Sequence, residues 1–382
     1  MSKIKDVFNV TSSNEQIEAM PDAVERLTSD EPMPVVMTPR DGEASTGAAI
    51  AAQLHALKFH PVVVFGGPAS GKTSLVVSML AALRLEAEWG CGATLCDPIL
   101  PLSDDRHKEQ YNDATRLFNK TVQEFIAGTG AGSTRGQQPF FVPVAIRSTA
   151  DNRTVKFAFL ESNGEWYKPK TGTDEFFAAL RADTDAFIRN YEGGISFIYV
   201  LPYTQNVIRS SFEKDAEDPE KLREAGLAIV GMLDAYSRVR TNTRNDGHLL
   251  LVSKWDAHHE AKKSEEDIEL WESLLESDSD IEAFLARTYP QALASFKGLA
   301  VDAEQRRIGS YCAGLMTART IQPVAADPDT RYAIRWHQKK VWRWVWRNAT
   351  TQIDVATDLF PPDPVEKKSI WQSINSFLDR YF

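Results

Sequence analysis

Apolar residues in this 382-residue chain fall into short continuous runs that alternate with stretches of helical spacing. Such runs occupy residues 61–65, 195–201 and 248–252. Continuous apolar runs of about four to eight residues are typical of strands that are buried on both faces of a parallel sheet. The pattern therefore predicts an α/β fold, in which a mainly parallel sheet is sandwiched between two layers of helices.

Two further runs predict an antiparallel hairpin within this sheet. Residues 140–148 and 154–162 are strand-like, and the polar turn 149–153 separates them. Residues 311–316 and 331–347 also have strand-like patterns. Helical spacing predicts a helix after Lys72 and Thr73 and further helices at residues 47–59, 111–126, 173–190, 219–240, 264–298 and 369–382.

Composition divides the chain into an N-terminal arm and one elaborated domain. Residues 1–45 are polar and carry several proline and glycine breakers, which predicts a loosely packed arm. Residues 46–382 are predicted to form a single domain. Within it we predict a helical insertion at about 87–138 and a tryptophan-rich C-terminal extension at about 320–382.

Charge and composition narrow the classes of function. The chain has 43 Lys and Arg against 53 Asp and Glu, a net charge of -10, so its surface repels a phosphate backbone and general nucleic-acid binding is not expected. The sequence has no run of about 18 apolar residues and no apolar stretch of the signal-peptide kind at its N-terminus. We therefore expect a cytoplasmic protein without a transmembrane segment. Its three cysteines are expected to be reduced.

Residues 66–73 have the sequence GGPASGKT, which fits the pattern GxxxxGK followed by Ser or Thr. Glycines let backbone N–H groups approach phosphates, and the following helix N-terminus adds a positive dipole end. The segment lies between an apolar strand and an amphipathic helix, as a P-loop NTPase fold requires. Lys72 is expected to reach the outer phosphates and the Thr73 hydroxyl to bind Mg²⁺. The nucleotide-contacting residues predicted here are Gly66, Ala69, Ser70, Gly71, Lys72, Thr73 and Ser74.

The order of elements around this loop resembles that of the translation-factor-like and Ras-like GTPases, from about residue 60 to residue 260. The shared order is a P-loop strand, a helix, an insertion, an antiparallel hairpin, and then alternating helices and strands. Bacterial GTPase-like proteins of conflict or signalling systems share the Gly-Gly-Pro opening and a Gly-Glu pair after the third strand. The resemblance implies a GTPase switch that binds GTP or GDP with Mg²⁺ and regulates partner proteins.

In that family the second hairpin strand ends in a DxxG motif, whose Asp holds Mg²⁺ through water and whose Gly senses the γ-phosphate. The matching residues are Glu161 and Gly164, so a Glu replaces the family's Asp. The longer carboxylate is still expected to reach a water-bridged Mg²⁺. The next residue orients the attacking water in many members, and its match is Glu165. A plain turn between strand and helix is the alternative interpretation.

Residues 253–256, with the sequence SKWD, resemble the family's N/TKxD base-reading motif. There the carboxylate accepts both donors of the guanine edge, and the Lys stem lies along the ring. The matching residues are Lys254 and Asp256, with Ser253 as a variant of the first position. Because adenine lacks the matching pair of donors, Asp256 is expected to select guanine. The alternative is an ordinary charged pair at the end of a strand.

Two more elements of the family have candidates in this chain. The switch threonine, which contacts Mg²⁺ and the γ-phosphate, precedes the hairpin, and the glycine-rich stretch 128–138 offers Thr134 for it. Arg135 is either an internal arginine finger or an ordinary surface arginine. Residues 312–314 match the small residue that closes the base pocket. The insertion lies where heterotrimeric G-protein α subunits also carry a helical insertion.

Four of the nine tryptophans lie close together near the C-terminus, among lysines and arginines. If residues 341–347 form a strand, Trp342, Trp344 and Trp346 share one of its faces. Such a strip suits a partner surface, a membrane interface or nucleic acid. Alternatively, the tryptophans pack beneath the final helix.

The sequence thus predicts a guanine-nucleotide switch with slow, Mg²⁺-dependent GTP hydrolysis. The catalytic candidates are Lys72, Thr134 and Glu165, and the candidate metal ligands are Thr73, Thr134 and Glu161. Two alternatives remain open. One is a P-loop ATPase in which Glu161 or Glu165 activates water, and the other is a nucleotide-binding scaffold that does not hydrolyse its ligand.

Overall fold

The computed structural model describes residues 46–67, 70–85, 90–102, 104–126, 140–148, 152–161, 182–203, 219–255, 278–312, 316–317, 320–321 and 328–350. All of them belong to one compact unit, Pro39–Phe382. The predicted arm at 1–45 and the predicted helix at 369–382 lie outside the described residues.

Strands and helices alternate through most of this part of the chain. The strands are β1 Phe59–Phe65, β2 Cys91–Leu95, β3 Phe140–Ser148, β4 Thr154–Glu161, β5 Ser196–Pro202, β6 Gly247–Ser253, β7 Arg306–Ser310, β8 Met316–Thr317 and β9 Thr320–Ile321. The helices are α1 Thr46–Ala56, α2 Lys72–Leu85, α3 Asp105–Arg116, α4 Val122–Ile126, α5 Ala182–Asn190, α6 Pro219–Val239, α7 Asp278–Thr288, α8 Pro290–Lys297 and α9 Pro328–Thr350. A π-helical turn, Leu117–Thr121, joins α3 to α4.

Seven of the strands form one sheet in the order β2-β3-β4-β1-β5-β6-β7. β1 pairs in parallel with β4 and β5, β5 pairs in parallel with β6, and β6 with β7. β3 pairs antiparallel with both β2 and β4, so it alone runs against the other six. The predicted α/β fold, with a mainly parallel sheet and one antiparallel hairpin strand, is therefore confirmed.

Helices cover both faces of this sheet. On one face, α1, α5, α6, α7 and α8 form a core with Val63 and Phe65 of β1. On the other, α2, α4 and α9 form a second core with Val62 and Val64. Because both faces of β1 are buried, its apolar run is continuous rather than alternating.

The predicted hairpin is confirmed, but the insertion is only partly helical. The insertion contains the strand β2, which pairs with β3 and extends the sheet. The sequence of β2, CGATL, alternates in exposure and contains small residues, so it gives none of the continuous apolar signal of a buried strand. The helix predicted at 111–126 begins earlier, at Asp105, because the Asp104 carboxylate accepts a hydrogen bond from the Arg106 backbone N–H at 2.7 Å.

Two strand predictions in the C-terminal part are wrong. The last strand of the sheet, β7, ends at Ser310, so the predicted strand at 311–316 begins too late. Residues 331–347 lie within the helix α9. The side chains that face the core are spaced one, three and four positions apart, as on one face of a helix. These residues are Val341, Trp342, Val345, Trp346 and Ala349.

Trp342 packs α9 against the sheet and bonds it to α2. Its ring makes edge contacts with Phe157 and Phe159 of β4, at centroid distances of 5.8 and 5.7 Å. Its indole N–H donates to the Met79 backbone oxygen of α2 at 2.9 Å. Trp344, two residues further on, lies on another side of the helix and is only half-buried against the second core. The tryptophans therefore do not form a single strip, which corrects the strand interpretation.

The acidic stretch predicted as one helix at 264–298 contains two helices in its described part. They break at Tyr289, because Pro290 begins α8 and disfavours a helical conformation for the residue before it. Among the described helices, none is both long enough and apolar enough to cross a membrane.

Two histidines are buried within the sheet. Nε2 of His60 on β1 lies 2.8 Å from the Ser196 hydroxyl, and His248 on β6 stacks on Phe197 at a centroid distance of 5.3 Å. Burial removes both rings from water and lowers the pKa of each to about 3. Both side chains are therefore neutral in the folded protein at neutral pH.

His60→Gln is expected to reduce the acid sensitivity of folding. The unfolded histidine takes up a proton below about pH 6.5, whereas the folded one stays neutral to about pH 3. The unfolded state then binds more protons in this window, and each histidine removes about 1.4 kcal/mol of stability per pH unit as the pH falls. Urea unfolding between these pH values should give a slope for His60→Gln that is smaller by about one proton. The exposed His55→Gln serves as the control, and an equal slope for both variants would refute the prediction.

Candidate functional site

The carboxyl ends of four parallel strands meet at one edge of the sheet. β1 is followed by the glycine-rich loop 66–71, and β4 ends at Glu161. β5 ends at Pro202 and β6 at Ser253. In open α/β sheets this edge is where loops bring functional side chains together. The site described below is built from the ends of β1, β4 and β6.

Two glycines of the loop are required by its geometry. A Cβ atom on Gly66 would lie 2.5 Å from the Ser70 hydroxyl oxygen and 2.7 Å from the Val200 backbone oxygen. Gly71 has φ +89°, a conformation that side chains disfavour. The chain then enters α2, where the Leu75 N–H donates to the Gly71 carbonyl at 2.8 Å. The loop thus turns tightly into the helix N-terminus.

The Lys72 side chain runs from the start of α2 towards the glycine loop. Its ammonium donates to the carbonyl oxygens of Gly66 and Gly67 at 2.8 and 2.9 Å, and the residue is only 6% exposed. Burial lowers the pKa of Lys72 to about 8, while the negative charge of Glu161 acts in the opposite direction. The buried ammonium therefore lies at the base of the loop, bonded to its carbonyls and within the electrostatic influence of Glu161.

Thr73 and Glu161 meet directly. The Thr73 hydroxyl donates to Glu161 Oε1 at 2.5 Å, although the residues are 88 positions apart in sequence. Glu161 is 1% exposed. The contact arises because β4 lies beside β1, so that its end faces the first turn of α2. A hydroxyl and a carboxylate side by side supply the hard oxygen donors that Mg²⁺ prefers.

Ser70 contributes a buried hydroxyl at the same place. It is fully buried, and within the described part of the chain its oxygen has no hydrogen-bond partner. A buried polar atom of this kind is costly unless a ligand or water satisfies it. Together with the helix N-terminus and Lys72, it fits an anionic group bound in the loop.

Ser253 ties the end of β6 to the glycine loop. Its hydroxyl donates to the Ser70 backbone oxygen at 2.5 Å. Sequence reasoning took Ser253 only as a variant of a base-reading motif and missed this contact. Its position at the start of that motif, directly after a buried strand, was the available signal.

The remaining predicted residues are described only in part. Ser74 is half-buried in the first turn of α2, and Lys254 follows β6 directly. Cys312 is buried beyond β7. The other predicted site residues lie outside the described residues: Ala69, Thr134, Arg135, Gly164, Glu165, Asp256, Ala313 and Gly314.

Comparison with known proteins assigns no family to this chain. It matches no protein-family model, and no curated protein matches it significantly. Functional interpretation therefore rests on the arrangement of Lys72, Thr73, Glu161 and Ser253.

Gly66→Ala and Gly67→Ala form a matched pair that tests the geometry of the loop. The new methyl group at Gly66 would overlap Ser70 and Val200, whereas at Gly67 the nearest atom, in Ala225, is 3.7 Å away. We expect Gly66→Ala to lower the free energy of unfolding by about 1–3 kcal/mol, as overpacking does. Gly67→Ala should change it by less than about 1 kcal/mol. Urea unfolding without added nucleotide measures both, and equal losses would contradict the geometry.

Proposed function

We propose that this protein is a Mg²⁺-dependent guanine-nucleotide switch with a P-loop NTPase fold. The observation that carries the proposal is the contact between the Thr73 hydroxyl and Glu161, next to the buried ammonium of Lys72. The same three residue types are expected where a P-loop, its metal-binding hydroxyl and the end of a neighbouring strand meet.

The phosphate chain would lie in the glycine loop. The N-terminus of α2 presents the positive end of the helix dipole to the loop, and the Ser70 hydroxyl adds a donor. Lys72 is already beneath the loop and would neutralise phosphate charge there. Gly66 and Gly71 let the loop turn tightly, because a side chain at Gly66 would overlap Ser70 and Val200 and Gly71 has φ +89°.

Thr73 and Glu161 would hold the magnesium ion between them. Their oxygens fit a hard cation, and the extra methylene of Glu161 relative to Asp does not prevent it from reaching Thr73. When bound, the ion would neutralise charge on the phosphate oxygens. Glu165 and Thr134 remain candidates for orienting water and sensing the γ-phosphate, and we propose slow hydrolysis in the absence of a partner protein.

Guanine selection is assigned to the segment that follows β6. Ser253 couples this segment to the loop, so the base and the phosphates would contact parts of the chain that are joined by a hydrogen bond. Asp256 would accept the two donors of the guanine edge, and the stem of Lys254 would lie along the ring.

Glu161→Gln tests the metal site. Glutamine keeps an oxygen that can accept from Thr73 and a similar volume but removes the charge. We expect GDP affinity in Mg²⁺ to fall by roughly tenfold, about 1.4 kcal/mol, while affinity in EDTA does not fall, because without the metal the variant only removes repulsion between residue 161 and the phosphates. Titration of fluorescent GDP in both buffers measures this. The control is Glu282→Gln, a half-exposed carboxylate on α7 that is paired with Lys297. Equal losses with and without Mg²⁺ would contradict the metal assignment.

Asp256→Ala tests the choice of base. The unmodified protein should bind fluorescent GDP more tightly than fluorescent ADP by at least roughly a hundredfold, and the variant should lose most of that difference. Similar affinities of the unmodified protein for the two nucleotides would favour the ATPase alternative. Tight GTP binding without phosphate release in the presence of partner proteins would favour a scaffold.

A further inference from the structure

The segment after β6 contains a strained residue. Lys254 has φ +55°, in the left-handed region that residues other than glycine seldom adopt. Such conformations persist only where the surrounding structure imposes them, and they occur often at functional sites. Contacts on both sides of Lys254 are therefore needed to hold it in this conformation.

Hydrogen bonds fix the chain on both sides of Lys254. On one side, the Ser253 hydroxyl donates to the Ser70 backbone oxygen at 2.5 Å, and the Ser253 carbonyl accepts from the Tyr203 N–H at 2.8 Å. On the other, the Trp255 N–H donates to the Tyr311 carbonyl at 3.2 Å. The main chain is thus tied to the glycine loop, to the end of β5 and to the end of β7.

The side chain of Trp255 adds a hydrophobic anchor. It is fully buried, and its ring makes edge contacts with Tyr203 at 5.4 Å and with Phe284 of α7 at 6.0 Å between centroids. Tyr203 and Phe284 also contact each other, at 4.9 Å. Tyr289, which links α7 to α8, donates its hydroxyl to the Pro202 carbonyl at 2.8 Å. α7 and the α7–α8 junction therefore contact the segment after β6 and the adjacent end of β5.

We propose that Trp255 is a positioning residue that holds Lys254 in its strained conformation and thereby sets the affinity for the base of the nucleotide. This inference rests on the proposed guanine-nucleotide function. The role assigned to Trp255 is indirect, because its ring is fully buried against Tyr203 and Phe284. Its contribution is to keep the Lys254 stem in place before a ligand arrives, so that binding does not have to order it.

The test separates binding of the base from binding of the phosphates. Affinity for GDP is measured directly, and affinity for inorganic pyrophosphate is measured by competition, both in Mg²⁺. Trp255→Ala should lower the ratio of GDP affinity to pyrophosphate affinity by roughly tenfold or more. Trp255→Phe keeps an aromatic ring against Tyr203 and Phe284 and should restore the ratio to within about threefold of the unmodified protein.

A second pair of variants applies if Trp255→Ala does not fold. Phe284→Leu removes one aromatic neighbour of Trp255, whereas Phe296→Leu alters an equally buried ring on α8 that contacts Tyr199 instead. Only Phe284→Leu should lower the affinity ratio. If both affinities fall together, or if the two variants behave alike, Trp255 has a purely structural role and the inference is overturned. Failure of the unmodified protein to bind GDP would instead overturn the proposed function.

Discussion

Parallel pairing of β1 with β4 on one side and β5 on the other is the constraint on which the rest of the site depends. Because parallel strands end at the same edge, the glycine loop after β1 must lie beside the end of β4. Glu161 then faces the first turn of α2, where Thr73 meets it at 2.5 Å. Lys72, in the same turn, is buried against the loop carbonyls and is influenced by the charge of Glu161. Residues far apart in sequence become neighbours through strand order alone.

The opposite edge of the sheet is closed by a different kind of interaction. Arg240 and Asp246 form a buried, bidentate ion pair at 2.9 and 3.0 Å. Asp246 also accepts a hydrogen bond from the backbone N–H of Ile195, next to the start of β5. Burial raises the pKa of Asp246, while the bonds from Arg240 oppose that shift. Such a pair fixes the starts of β5 and β6 in register, although its net stabilisation is modest. One edge therefore carries a structural ion pair, and the other carries the glycine loop together with Lys72, Thr73 and Glu161.

Most of the fold could be predicted from the sequence where local pattern and tertiary environment agree. β1, β5 and β6 are buried on both faces, so their apolar runs are continuous, and the glycine loop is defined by its own residues. The prediction failed where neighbours distant in sequence decide the structure. α9 is a helix because Trp342 and Trp346 reach one core together, and the contact from Ser253 to Ser70 joins residues 183 positions apart. The aromatic neighbours of Trp255 are Tyr203, directly after β5, and Phe284 on α7, which no local pattern relates.

The charges of the site give a physical reason for its proposed dependence on metal. In the described residues, the ammonium of Lys72 and the carboxylate of Glu161 lie together in a buried environment, where their charges compensate each other. A phosphate chain placed in the loop would add several negative charges close to Glu161, and burial makes that repulsion stronger than it would be in water. Lys72 alone cannot offset both. A divalent cation between Thr73 and Glu161 would reverse the balance, which is the physical reason for the proposed dependence on Mg²⁺.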